Sequence, residues 1–187
     1  MKEFLKQFLK DIIPVIVGIL IALMVNDWQE NRSNAAFIER TLAAIRAEHA
    51  ANTAELEEIM VHHRTARDSL QKYLQNPAVS VRDVLDRIGG FKTAPVKATS
   101  WNYLLGKNLE LVDFRMVAIL SDIDEKRQAL KNQINRIANL GYANLNSADP
   151  AFKSTLLVML GDYIYLEEQI LADYRAFDDL MKNNPPN

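Results

Sequence analysis

An all-α protein is expected from three observations. Gly and Pro are absent from residues 19–76 and again from 107–140, runs of 58 and 34 residues that suit long helices and suit β-hairpins poorly. Apolar side chains recur at helical spacing through both runs, with no strand-like alternation to compete. Ser and Asp stand where helices should start, and Gly or Pro where they should stop. The arrangement expected is an N-terminal transmembrane helix continuing into a long helix that packs in an antiparallel three- to four-helix bundle. At 187 residues, 49% hydrophobic and 25% charged, the chain fits one domain with an appendage, neither disordered nor polytopic. It has no Cys, which excludes disulfides, thiolate metal sites and a cysteine nucleophile.

The first element is the run Ile12–Val25, which holds no charged or polar side chain. Its 14 residues fall short of the ~20 needed to span a bilayer, so a signal-peptide core or a buried helix must be weighed. The flanks favour an uncleaved anchor. Lys6 and Lys10 can snorkel to the headgroups, and Trp28 stands where an interfacial aromatic belongs, so residues 8–28 suffice to cross. Asn26 and Asp27 follow the apolar core directly, with no small-x-small cleavage site. Three lysines precede the span, against Arg32 and Arg40 in the next 15 residues, which favours an N-inside orientation with the remainder translocated. Pro14, Gly18, Ala22 and Asn26 recur every four residues as one stripe, a small-residue face that suits helix–helix contact.

Residues 1–28 are therefore the expected anchor, 29–183 the bundle and 184–187 a flexible tail. The first long helix should run over about 29–75. Its seam repeats at heptad spacing through Ile38, Ile45, Asn52, Ile59 and Ala66, interleaved with Leu42, His49, Leu56, His63 and Leu70. Its outer face offers an Arg64–Asp68 pair at i,i+4. Ser80 and Asp83 form a capping box for a short helix over about 81–88, stopped by Gly89 and Gly90. Thr99 and Ser100 should cap a second short helix over about 100–105. A long helix over about 110–140 follows, with Gly141 as its stop and an Asp122–Lys126 pair on its surface. Asp149 and Pro150 open the last, over about 150–182, with Phe152, Leu156, Met159, Tyr163, Leu166, Ile170, Phe177 and Leu180 facing inward.

Two stretches carry a resemblance. GILIALMVNDWQENR at 18–32 resembles the membrane-exit motif of an uncharacterised bacterial family of small single-span helical proteins, with a pattern like G-[IV]-L-I-A-L-x-[IV]-N-x-W-x-E-x-R. The segment 99–130 is similar to that family's central part, with Trp101, Leu104, Gly106, Leu111, Asp113 and Leu120 at the matching places. Lys107 and Asn108 in the turn, and Ile123 and Asp124, depart from the pattern. The resemblance implies a bacterial membrane-anchored helical protein and implies no reaction. With the lysine bias, the expected location is the bacterial inner membrane, crossed once, with the bundle extracytoplasmic; no cofactor is expected.

The residues themselves point to no chemistry. Neither phosphate-binding glycine pattern nor G-x-S-x-G occurs. His49, Asn52 and His63 read as polar seam residues that set register. Metal ligation through His49 and His63 is the weaker reading, since a di-iron bundle needs Glu-x-x-His on two helices and the chain has none. After residue 26 the chain holds 19 basic against 22 acidic residues, so no basic stripe suggests nucleic acid. Trp101, in a short capped helix, is the best candidate for an exposed contact, with packing over the bundle end as the favoured alternative. The expectation is a non-enzymatic, membrane-anchored interaction or scaffold protein, a homo-oligomer or a subunit of a larger membrane complex. A ligand-sensing bundle acting through a partner is the alternative.

Overall fold

The computed structural model describes residues 2–93, 95–107 and 109–183, with side chains from Phe8 onward except those of Leu9 and Asp11. The Lys6 side chain, Asn108 and the expected tail at 184–187 lie outside the described residues. Five α-helices and one 3-10 turn account for the described secondary structure: α1 (Lys2–Lys72), α2 (Val81–Arg87), α3 (Thr99–Leu105), the turn Leu109–Leu111, α4 (Phe114–Ala143) and α5 (Pro150–Asn183). No strand occurs among the described residues. The chain divides into two compact units, Met1–Leu42 and Ala43–Pro185.

In the first unit the helix carries Pro14 in its interior without ending. The side chains from Ile13 through Trp28 are exposed throughout. Ile16 and Leu20 keep 50% and 52% of their surface free, and Trp28 keeps 61% with the Arg32 guanidinium 5.6 Å above its ring.

In the second unit, α1 and α5 run antiparallel, and their contacts descend in order. Arg46 meets Asp178, Asn52 meets Tyr174, His63 meets Glu167, and Lys153 meets the carbonyls of Tyr73 and Asn76. The helices α4 and α5 pack along each other, and Lys126–Asp173 and Gln133–Met159 set their register, again antiparallel. The α1 seam keeps its expected course from Leu42 to Leu56. At the next turn Met60 is buried and Ile59 only half-buried, after which the expected His63, Ala66 and Leu70 are buried again.

On α5 the buried face is Lys153, Leu156, Leu160, Tyr163, Glu167, Ile170, Tyr174 and Phe177, a regular alternation of three and four. Phe152, Met159, Leu166 and Leu180, expected inward, are only half-buried. Lys153 and Glu167 hold the core positions beside them.

Helix boundaries follow local chemistry. Ser80 and Asp83 complete the expected capping box, and Gly89 and Gly90 stop α2 at φ of +76° and +84°, which only Gly adopts without strain. The start of α4 is Asp113, whose carboxylate accepts from the Arg115 N–H; the residues expected to begin that helix form the 3-10 turn instead. Gly141 lies inside α4, which ends at Ala143. Two expected surface pairs are replaced by pairs between helices: Arg64 binds Glu168 and Lys126 binds Asp173.

Candidate functional site

Four polar residues of α1, Glu48, Asn52, His62 and His63, share one task. The described residues of the connection from α2 to α3, 91–93 and 95–98, have no secondary structure, so their N–H and C=O groups need partners from elsewhere. Side chains of α1 supply them. His62 Nε2 lies 2.7 Å from the Gly90 carbonyl, and His63 Nε2 lies 2.8 Å from that of Lys92. Asn52 accepts from the Lys97 N–H at 3.1 Å and donates to the Lys97 carbonyl at 2.8 Å, as a neighbouring strand would. Its amide also donates to the Tyr174 hydroxyl at 3.0 Å.

Glu48 finishes the series. The carboxylate accepts from the N–H groups of Thr99 and Ser100 at 2.6 and 2.8 Å, capping α3, whose own N-cap residue Ala98 has no side chain able to do so. Burial pushes the Glu48 carboxyl up, but hydrogen bonds from Ser100 and Thr99 outweigh it and hold the group below the ordinary carboxylate range. The caps expected from Thr99 and Ser100 themselves are thus supplied from α1.

His63 and Glu167 form a pair with no solvent exposure on either side chain. Nδ1 lies 3.0 Å from both carboxylate oxygens, with hydrogen-bond geometry to Oε2, which leaves Oε1 without a hydrogen bond among the described residues. Since the Lys92 carbonyl can only accept, Nε2 carries a proton, and one further proton is shared between Nδ1 and Glu167. Burial raises the Glu167 pKa, against the opposing pull of the His63 hydrogen bond. Phe91 stacks on the imidazole at 5.0 Å and Tyr163 meets it edge-on at 5.2 Å. Burial, with the Glu167 charge nearby, pushes the Tyr163 hydroxyl up as well.

His49 is different. It packs against the rings of Tyr174 at 4.3 Å and Phe177 at 5.1 Å, and its Nδ1 has no hydrogen-bond partner among the described residues. Burial lowers its pKa to about 4, against the smaller opposing influence of Asp178 and Glu48. At neutral pH the ring is uncharged.

Lys153, fully buried, donates to the Tyr73 carbonyl at 3.0 Å and the Asn76 carbonyl at 2.7 Å. It satisfies carbonyls just past the end of α1, where a cation also meets the negative end of the helix dipole. No sequence pattern joins Lys153 to residues 77 and 80 positions upstream.

Trp101 requires a correction. Expected as an exposed contact, it retains 4% of its surface. Trp101 and Leu104 are three apart on one face of α3, and that face is the buried one; Tyr103, at 55% exposure, takes the outward position. Trp101, His49, Ile45 and Leu120 border a void of about 10 Å³.

The second unit also contains a cavity of about 350 Å³, bounded by α1, α2, the Gly90–Thr93 segment, α4 and α5. Its lining is mostly branched aliphatic, with Arg82, Asp86 and Tyr142 among the polar or amphipathic exceptions, each of them exposed.

Of the residues singled out from sequence, Asn52 and His63 converge on the α2–α3 connection, with His49 on the same helix face. Pro14, Gly18, Ala22 and Asn26 form an exposed stripe in the first unit, and Lys10 and Trp28 are exposed near its ends. A Cβ added at Gly18 would meet nothing within 4 Å. The metal reading of His49 and His63 loses its geometry: both nitrogens of His63 are engaged, and no group of three or more metal-ligating side chains occurs among the described residues. Compared with protein-family models, with curated proteins and with solved structures, the chain matches none.

Proposed function

We propose that the chain is a single-span, membrane-anchored helical protein whose remainder folds as an antiparallel bundle and works by contact, with copies of itself or with another membrane protein, rather than by catalysis. One observation carries the reading: the most apolar 18-residue window of α1 has a mean hydropathy of 1.8, and none of it is buried. A soluble core helix buries its apolar side chains against other elements; here α1 presents them on every face from Ile13 to Val25. The lysines before the span favour a cytoplasmic amino terminus with the bundle on the other side. The small-residue stripe through Gly18 and Ala22 is the surface on which a second membrane helix would approach. In the second unit, side-chain pairs join α1 to α5 and α4 to α5.

The test is purification of the full chain from membranes in a mild detergent, with the mass of the particle and its co-eluting proteins measured. A particle heavier than one chain, reduced towards a monomer by Gly18→Leu or containing a stoichiometric second protein, is the expected result. A strictly monomeric species with no companion overturns the interaction reading.

A further inference from the structure

We infer that the cavity of about 350 Å³ in the second unit is a binding site for a single aliphatic chain of about ten to twelve carbons, the tail of a single-chain amphiphile. This goes beyond the anchoring and interaction reading and does not depend on it. Protein interiors pack at crystal-like density with few voids larger than a water molecule. An apolar cavity of about 150 Å³ already binds benzene. At about 30 Å³ for each water-sized group, the space here takes a chain of about a dozen such groups.

Small residues make the room. Ala66 occupies an α1 seam position between His63 and Leu70, where a heptad seam ordinarily carries a large apolar side chain, and it is 2% exposed. Ala138 and Gly141 are three apart on the α4 wall, and a Cβ added at Gly141 would meet nothing within 4 Å. The cavity is therefore lined by residues too small to fill it.

The lining also selects the ligand class. Leu, Ile and Val side chains dominate it, and the ring of Phe91 is already stacked on His63, so a flexible aliphatic chain matches it better than a planar ring system. Charges are confined to Arg82 and Asp86, both exposed and opposite in sign. A head group belongs there in water, and the pair of opposite charges gives no net preference for an anion over a neutral alcohol.

The experiment uses the full chain in lipid nanodiscs, with radiolabelled dodecanoate and dodecanol as separate probes and empty nanodiscs to subtract partition into lipid. Saturable binding of one probe molecule per chain is expected, weakened at least tenfold by Gly141→Leu and by Ala138→Leu. Gly141→Leu should keep the helical content and melting temperature of the parent, since a Cβ there meets nothing within 4 Å, and the same two measurements check the fold of Ala138→Leu. Binding of both probes assigns recognition to the chain, and binding of dodecanoate alone assigns part of it to Arg82. Uptake no greater than in empty nanodiscs overturns the proposal, and so does saturable binding that both folded variants leave unchanged. Either failure leaves the membrane anchor untouched, because flotation of the same nanodisc-free protein with lipid reports on residues 8–28 alone.

Discussion

Two stretches of the same helix invert the usual rule of what is inside. From Ile12 to Val25, α1 exposes nearly every apolar side chain it has; from His49 to Leu70 it buries two histidines and an asparagine beside its leucines. Each stretch is stable only in the right surroundings. Exposed isoleucine and leucine without polar interruption lose nothing when the surrounding medium is hydrocarbon. Buried polar groups cost little only when each has a partner, and here the partners are backbone groups of the α2–α3 connection and side chains of α5. In the first stretch the sequence of side chains reflects the solvent, in the second the neighbouring backbone.

The largest expected effect breaks the first half of that comparison. Arginine near the centre of a spanning helix costs about 2.5–3.5 kcal/mol on insertion scales, so the double variant Ile16→Arg, Leu20→Arg should lose about 5–7 kcal/mol of membrane preference. Flotation on a density gradient should move the protein from the lipid fraction to the soluble or aggregated fraction. Wild-type protein that stays soluble without lipid, or a double variant that still floats, removes the anchor from the description. Because both substitutions lie in the first unit, near-ultraviolet circular dichroism of the second unit serves as the control.

The next effect breaks the second half. Glu167→Ala removes one member of a fully buried pair and leaves His63 Nδ1 without its partner, a loss of about 3–5 kcal/mol in chemical denaturation. Glu167→Gln keeps the shape, and its amide can donate to the Nδ1 of neutral His63, so it should cost less than half as much. Equal losses for the two variants would mean that the carboxylate's charge, rather than one shared hydrogen bond, holds the pair.

How much of this was legible beforehand depended on whether a residue's partner was near in sequence. The Ser80–Asp83 capping box, the Gly89–Gly90 stop and the Asp149 start need only neighbours, and each stands where the pattern put it. The α1 seam was readable from Ile38 to Leu70, Ile59 apart, because its spacing is local. The α5 face was misplaced at four positions, since a rule that reads apolar residues as core passes over Lys153 and Glu167, whose partners lie 77 to 104 residues away. Separations of 47 to 104 residues likewise hid Glu48 as the cap of α3 and the cross-helix ion pairs that replaced Arg64–Asp68 and Asp122–Lys126. Trp101 failed for a different reason: seven residues of helix have two faces, and nothing within them says which is covered. The cavity was not legible at all, because a small residue in a seam looks the same whether its neighbours close over it or not.

The smallest of the three effects separates two kinds of buried polar residue. His63 has partners on both nitrogens, whereas His49 sits between Tyr174 and Phe177 with Nδ1 unpaired among the described residues, so its charged form is the one the fold excludes. With a folded pKa near 4 against about 6.5 in the unfolded chain, the unfolded state takes up the proton first. Stability should therefore be full above pH 6.5, fall as pH drops from there, and level off below about 4, with a total loss on the order of 3 kcal/mol. The difference in melting temperature between the parent and His49→Leu, followed from pH 7 to 5, isolates this group, because Glu48 is held down and Glu167, raised by burial, contributes to both proteins alike. His49→Leu should flatten the profile over the same interval. It should leave stability at pH 7 unchanged or slightly raised, since it removes a buried nitrogen that has no hydrogen bond and keeps an apolar contact with the two rings. A variant as acid-sensitive as the parent would move the titration to another group. A large loss at pH 7 would show that His49 holds a partner the ring packing does not account for.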